Sequence, residues 1–241
     1  MTVGIRIRGV VGQVQVDDQT PVFVVSERGT IGSANLVLDV PAVFFLGSRH
    51  HVVFATPYTT AAPPLVFLRF LDSEAVMTTF TMRGGPGNWT GFNIAVGINM
   101  VQIVARNLLY FVATPMPPAP SGARVGIRIR NRTNNQLTFD SGWPLVKFIQ
   151  QTAAFQADGR YTHGVLIYSV GQPAGADVYF MANGFSGLIN AFAGDSIQYM
   201  HVGVHPNFPG KLLLYTRASS GDNDIAYQAY QWSALFASPG A

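Results

Sequence analysis

Val3–Arg8 reads VGIRIR, and Val125–Arg130 reads VGIRIR again. The match resumes after a one-residue insertion, where QVQVDDQTPVFVV, Gln13–Val25, parallels QLTFDSGWPLVKF, Gln136–Phe148. Gln13 and Gln136, Asp17 and Asp140, and Pro21 and Pro144 coincide, and the hydrophobic positions between them keep their places. Self-similarity at a fixed separation is the mark of a duplicated unit, although the rest of the two copies cannot be aligned residue by residue. Between them lies TPMPPAPSGAR, Thr114–Arg124. Proline has no backbone donor, so this stretch cannot join a hydrogen-bond ladder and reads as a short, semi-rigid linker. The expected organisation is a first β-sandwich repeat over residues 1–115, a linker over 116–124 and a second repeat over 125–241.

GIRIR alternates apolar and charged residues at period two, the pattern of a half-buried strand. It predicts Ile5, Ile7, Ile127 and Ile129 toward a core and the arginines outward. Polar turns around Val10–Gln13 and Arg132–Asn135 lead into second alternating segments, which makes a hairpin in each copy. Further strands are expected at Ala42–Phe54, Leu65–Leu71, Val76–Met82, Met100–Val104 and Leu108–Val112. The second copy offers Gly164–Val170, Asp177–Ala182, Ser196–Val204, Lys211–Arg217 and Ile225–Trp232. β-branched and aromatic residues fill these runs, and Gly, Pro, Asn and Ser separate them. No long window carries the helical period. The fold class is therefore all-β, with two tandem antiparallel β-sandwich-like domains.

Only 11% of the 241 residues are charged while 48% are hydrophobic, against roughly 25% charged in an average soluble protein. A surface this poor in charge predicts burial against partners, in a homo-oligomer or a larger particle. The net charge of +3 and a pI near 9.3 come from scattered arginines, of which Arg124, Arg128, Arg130 and Arg132 are the densest group. They suit pairing with acidic protein surfaces better than specific nucleic-acid binding. The absence of cysteine excludes disulfides, thiolate metal sites and cysteine nucleophiles. No run approaches the roughly 18 apolar residues of a membrane helix, and MTVGIRIRGV lacks the features of a signal peptide. Synthesis and assembly in a cytoplasm, without membrane insertion, are the expectation.

The chemistry-bearing residues do not form a recognisable motif. His50 and His51 are adjacent and would point to opposite faces of a strand. His201 and His205 in HVGVH would share a face but lie roughly 13 Å apart on a strand, too far to bind one ion together. Gly184-Phe185-Ser186-Gly187 lacks the spacing of a nucleophile elbow, and RGGPGNWTG, Arg83–Gly91, lacks the lysine of a phosphate loop. The latter reads as a hairpin loop presenting Trp89. Asp222-Asn223-Asp224 resembles the start of a calcium loop without its later ligands, and reads as a surface turn. No catalytic, metal or cofactor site is expected, and the chain is not read as an enzyme.

GIRIRNRTNNQLTFDSGWPLVKFI, Gly126–Ile149, resembles the amino-terminal signature of a family of small tailed-bacteriophage proteins. The likeness rests on Gly126, Phe139, Asp140 and Ser141, echoed by Gly4, Val16, Asp17 and Asp18. It covers about 25 of the residues in each copy, and the tandem arrangement departs from the family's single domain. The resemblance implies a virion structural protein, assembled in a host bacterium and placed at the tail tip, baseplate or fibre-attachment region. Its partners would be other tail proteins and copies of itself. Candidate contact residues are Arg6, Arg8, Arg128 and Arg130 on the repeated strand, with Trp89 and Trp143 on loops. The alternatives are a carbohydrate- or receptor-binding module that stacks a host surface glycan on Trp89, Tyr161, Tyr168 or Trp232, and a capsid decoration protein.

Overall fold

The computed structural model describes residues 4–9, 12–17, 22–38, 48–72, 74–97, 107–115, 119–152, 155–161, 165–175, 177–185, 189–193, 196–218 and 233–240. In some strands, those of 4–17 among them, only the backbone pairing is described. The first half contains β1 (Gly4–Gly9), β2 (Gly12–Asp17), β3 (Val24–Ile31), β4 (Leu36–Leu38), β5 (Ser48–Tyr58), β6 (Leu65–Phe70), β7 (Ala75–Gly85), β8 (Asn88–Gly97) and β9 (Leu108–Thr114). The second half contains β10 (Arg128–Arg130), β11 (Leu137–Asp140), β12 (Val146–Gln151), β13 (Gln156–Tyr161), β14 (Val165–Gly171), β15 (Tyr179–Met181), β16 (Ile189–Ala193), β17 (Ser196–Val204), β18 (Lys211–Ala218) and β19 (Leu235–Pro239). The fold is all-β and its strand pairs are antiparallel. No helix among the described residues is long and apolar enough to cross a membrane.

Two hairpins, β1-β2 and β10-β11, stand apart from two larger sheets. One sheet has the order β12-β19-β15-β6-β9-β3, and the other runs β13-β14-β18-β17-β7-β8-β5-β4 with β16 paired to β17. Both sheets take strands from both halves, so the expected division into one sandwich per half is corrected to a shared core. The reason lies in the edges. β6 and β7 would each expose unpaired backbone groups if the first half closed alone, and they pair instead with β15 and β17.

The six-stranded sheet curls until its edges meet, where Val24 bridges Leu145. Val25 N–H donates to the Pro144 carbonyl at 2.7 Å, and Val146 N–H to that of Phe23 at 3.0 Å. This closure explains why LVFLRF and LLYFVAT read as continuous apolar runs rather than alternating ones. Val66, Leu68, Tyr110 and Val112 enter the main core between the sheets, while Phe67, Phe111 and Ala113 enter a second core inside the curl. Strands buried on both faces need no polar alternation. Asn183, in a 3-10 turn over Ala182–Phe185, extends the β6-β15 junction with its side chain. Its Oδ1 accepts from Val66 N–H at 2.6 Å and its Nδ2 donates to the Pro64 carbonyl at 3.1 Å.

Seven of the ten strands expected beyond the repeated hairpins coincide with observed ones, and Ala42–Phe54 overlaps β5 only from Ser48 onward. Met100–Val104 and Ile225–Trp232 lie outside the described residues. β8 was not foreseen, because NWTGFNIAVG carries Gly and Asn at positions that weaken a strand reading. Its Gly91 is required by close approach: a Cβ there would stand 2.0 Å from the Val52 carbonyl oxygen on β5.

Candidate functional site

The repeated hairpins carry most of the candidate residues. In the first, Gly4 pairs with Asp17, Arg6 with Gln15 and Arg8 with Gln13. The side-chain surroundings of Arg6 and Arg8 lie outside the described structure. In the second, Arg128 pairs with Asp140 and Arg130 with Leu137, with a register shift between Ile129 and Arg130. The extra residue in the second copy thus changes the pairing that identical strand sequences would otherwise share.

Asp140 is the centre of this hairpin. It is buried and accepts from Ser121 N–H at 3.1 Å, Ser121 Oγ at 2.7 Å, Gly142 N–H at 2.9 Å and Arg128 Nε at 2.8 Å. Burial alone would raise its carboxyl. The donors from Gly142, Ser121 and Arg128 outweigh that and hold it well below the usual carboxylate range. Arg128 also donates through Nη2 to the Ser121 carbonyl at 2.7 Å. Trp143 is buried beside Val24 and Leu137 and donates through Nε1 to the Ala119 carbonyl at 3.0 Å. The end of the proline-rich linker is therefore fastened to the hairpin rather than free of it. Asp140→Ala is expected to lower the thermal midpoint by several degrees, because it strands three N–H or O–H donors and an arginine at once. Calorimetry checks it, and an unchanged midpoint would show that the cluster does not hold the hairpin.

Arg130 is exposed and donates to the Asn135 carbonyl at 3.0 Å, across a turn in which Asn131 Oδ1 accepts from Thr133 and Asn134. Asn135 takes φ of 56° there, a conformation that asparagine tolerates better than most residues. Ile127 was expected to face a core and is 51% exposed instead. The strand starts only at Arg128, and Ile127 is held by Ser141, whose Oγ accepts from its N–H at 2.9 Å. Trp89 lies elsewhere, at the start of β8 opposite Gly84 and Tyr58. It is half-buried against the main core, and its Nε1 donates to the Thr60 carbonyl at 2.9 Å. No hydrogen bond, ion pair or ring contact among the described residues joins Trp89 to Trp143, Arg128 or Arg130.

Tyr168 is in the main core rather than on a loop, and Trp232 and Asp222-Asn223-Asp224 lie outside the described residues. No group of three or more metal-ligating side chains occurs among the described residues. The tightest polar cluster is Asp158 with Ser169 and Lys211. Lys211 Nζ and Ser169 Oγ both donate to Asp158 Oδ2, the second at 2.6 Å, and these bonds lower the Asp158 carboxyl, that from Lys211 most. A lysine committed to a carboxylate as donor does not accept a proton from the serine, so the arrangement is an ion pair with a buttress. Glu27 ties three strands, accepting from Tyr110 Oη at 2.9 Å and from Ala55 N–H at 3.2 Å. Burial first, and Glu27 second, push the Tyr58 and Tyr110 hydroxyls far above their ordinary range.

Asp140 is marked in the sequence by the repeat and by the resemblance but not as the centre of a brace, and Ser121 is not singled out there. The available signal was the recurrence of an aspartate at the end of each repeated hairpin, at Asp17 and Asp140.

No protein-family model matches the chain, and no curated protein or solved structure does.

Proposed function

We propose that the chain is a structural component of a bacteriophage virion, at the tail tip, baseplate or fibre-attachment region, and that it acts by protein–protein assembly. One surface observation carries the reading together with the resemblance of residues 126–149. Val125 is 91% and Ile127 51% exposed, in the same hairpin segment as exposed Arg130, and Phe148 and Ile149 of β12 are exposed as well. Apolar side chains beside arginine are what an interface covers; Ile127, Phe148 and Ile149 fall in the stretch that carries the phage likeness, and Val125 immediately precedes it. The low charge of the whole chain fits the same use. Its partners on this reading are other tail proteins and further copies of itself.

The test is the mass of the tag-free protein by size-exclusion chromatography with light scattering, compared with a Val125→Asp, Ile127→Asp double variant. A trimer, hexamer or larger ring that the double variant reduces to about 26 kDa is the expected result. A parent protein that stays monomeric at every concentration counts against self-assembly. Binding to a host glycan, lost in Trp89→Ala, would move the assignment to a receptor-binding module, and antibody labelling of the head would move it to capsid decoration.

A further inference from the structure

We infer that the two halves are copies of one complete unit, paired about a pseudo-two-fold axis, so that the surface each half turns to the other is a docking surface whose fitting partner is a second copy of that unit. The sequence repeat reaches only about the first twenty residues of each half. Strand order carries the correspondence through the rest.

Among the described residues, with β16 set aside, each half has a hairpin followed by seven strands. Read inward from its two edges, the six-stranded sheet gives β3-β9-β6 and β12-β19-β15. These are the first, seventh and fourth strands after the hairpin in each half. The larger sheet, read the same way, gives β4-β5-β8-β7 and β13-β14-β18-β17, the second, third, sixth and fifth strands of each. Every described strand of the first half thus has a counterpart at the mirrored place.

At the three junctions like meets like. β6 pairs with β15, β7 pairs with β17, and the start of β3 bridges the residue before β12, all antiparallel. A two-fold axis requires this: equivalent strands meeting across it must run in opposite directions, and each partner supplies the same patch. At the last junction even the repeat alignment agrees, since it makes Phe23 equivalent to Val146, and Val146 N–H donates to the Phe23 carbonyl. Side chains cross the same boundary. Phe111 meets Tyr179 at 5.0 Å and Phe70 meets Phe180 at 5.4 Å between ring centroids.

Each half is left with raw strand edges and an open second core unless the other covers them, which is why the expected independent sandwiches do not occur. Fusion also lets the halves differ outside the junction. On the outer face of the larger sheet, Ile167, Leu213 and Tyr215 of the second half are buried together with Val76 of the first at the junction, whereas Val53, farther out in the first half, is 66% exposed. The chain is in this sense a dimer made covalent.

The experiment cuts the connection in the folded, full-length protein. A specific protease site is inserted between Met116 and Pro117, and the uncut variant is first shown to unfold at the parent's midpoint. After cleavage the two fragments are expected to co-elute at the mass of the intact chain. They should unfold in one transition whose midpoint now falls on dilution, while the uncut protein's does not. Fragments that separate on a native column as two folded bodies, or two unfolding transitions in the uncut chain, would overturn the inference.

Discussion

Between pH 7 and pH 4 the folded chain is expected to lose about 3 kcal/mol of stability through His201. The ring is 3% exposed on β17, and burial, which penalises its charged form, lowers its pKa from 6.5 to about 4. In that window the unfolded chain takes up a proton that the folded chain refuses, so stability falls as pH falls and levels off below about 4. His50 acts in the same direction. It is fully buried, burial lowers its pKa, and the bond from Nδ1 to the Gly32 carbonyl opposes this only in part. Below the ordinary aspartate value the depressed carboxyls of Asp140 and Asp158 add a further loss, because the ionised carboxylates accept their bonds more strongly than the protonated acids do. Urea midpoints at pH 7, 6, 5 and 4 measure the slope, and His201→Phe should remove most of it. Equal midpoints at pH 7 and 4.5 in the parent protein would sink the argument.

Phe111→Ala is expected to cost about 3–5 kcal/mol, the usual loss for a fully buried aromatic. Phe111 stacks on Phe67 at 4.7 Å and meets Tyr179 edge-on at 5.0 Å, inside the curl of the six-stranded sheet. The cavity would open where strands of both halves converge, with little around it able to collapse. With whole-domain stabilities of roughly 5–15 kcal/mol, the variant should be marginal, and it should still unfold in a single transition. Val53→Ala, at a side chain 66% exposed, is the control and should change stability by less than about 0.5 kcal/mol. A loss below about 1 kcal/mol for Phe111→Ala would mean that the inner cluster does not hold the halves together.

The hairpin content was legible because it is local. Period-two alternation in GIRIR and the polar turns that follow determine pairing over a few residues, and the pairs Ile5 with Val16 and Arg128 with Asp140 realise it. The brace around Asp140 was not legible, because two of its donors come from Ser121, nineteen residues away in the stretch that reads as linker. Nor was the role of Trp143. A tryptophan after a polar turn reads equally as an exposed contact or a core filler, and its contact with Leu137 and, from the other half, Val24 decides that it is packed in.

By itself the sequence determined the class of structure, the recurrence of VGIRIR at the start of each half, and the low share of charge. Each depends on residue type and near-neighbour spacing. The tertiary structure alone decided which strands meet. Runs such as LVFLRF and LLYFVAT declare that they are apolar without declaring what covers either face, and the unpaired edges of β6 and β7 accept any strand of fitting register. Closure comes from the second half, whose β15 and β17 pair with those edges, and so two halves that read as neighbours along the chain form one body.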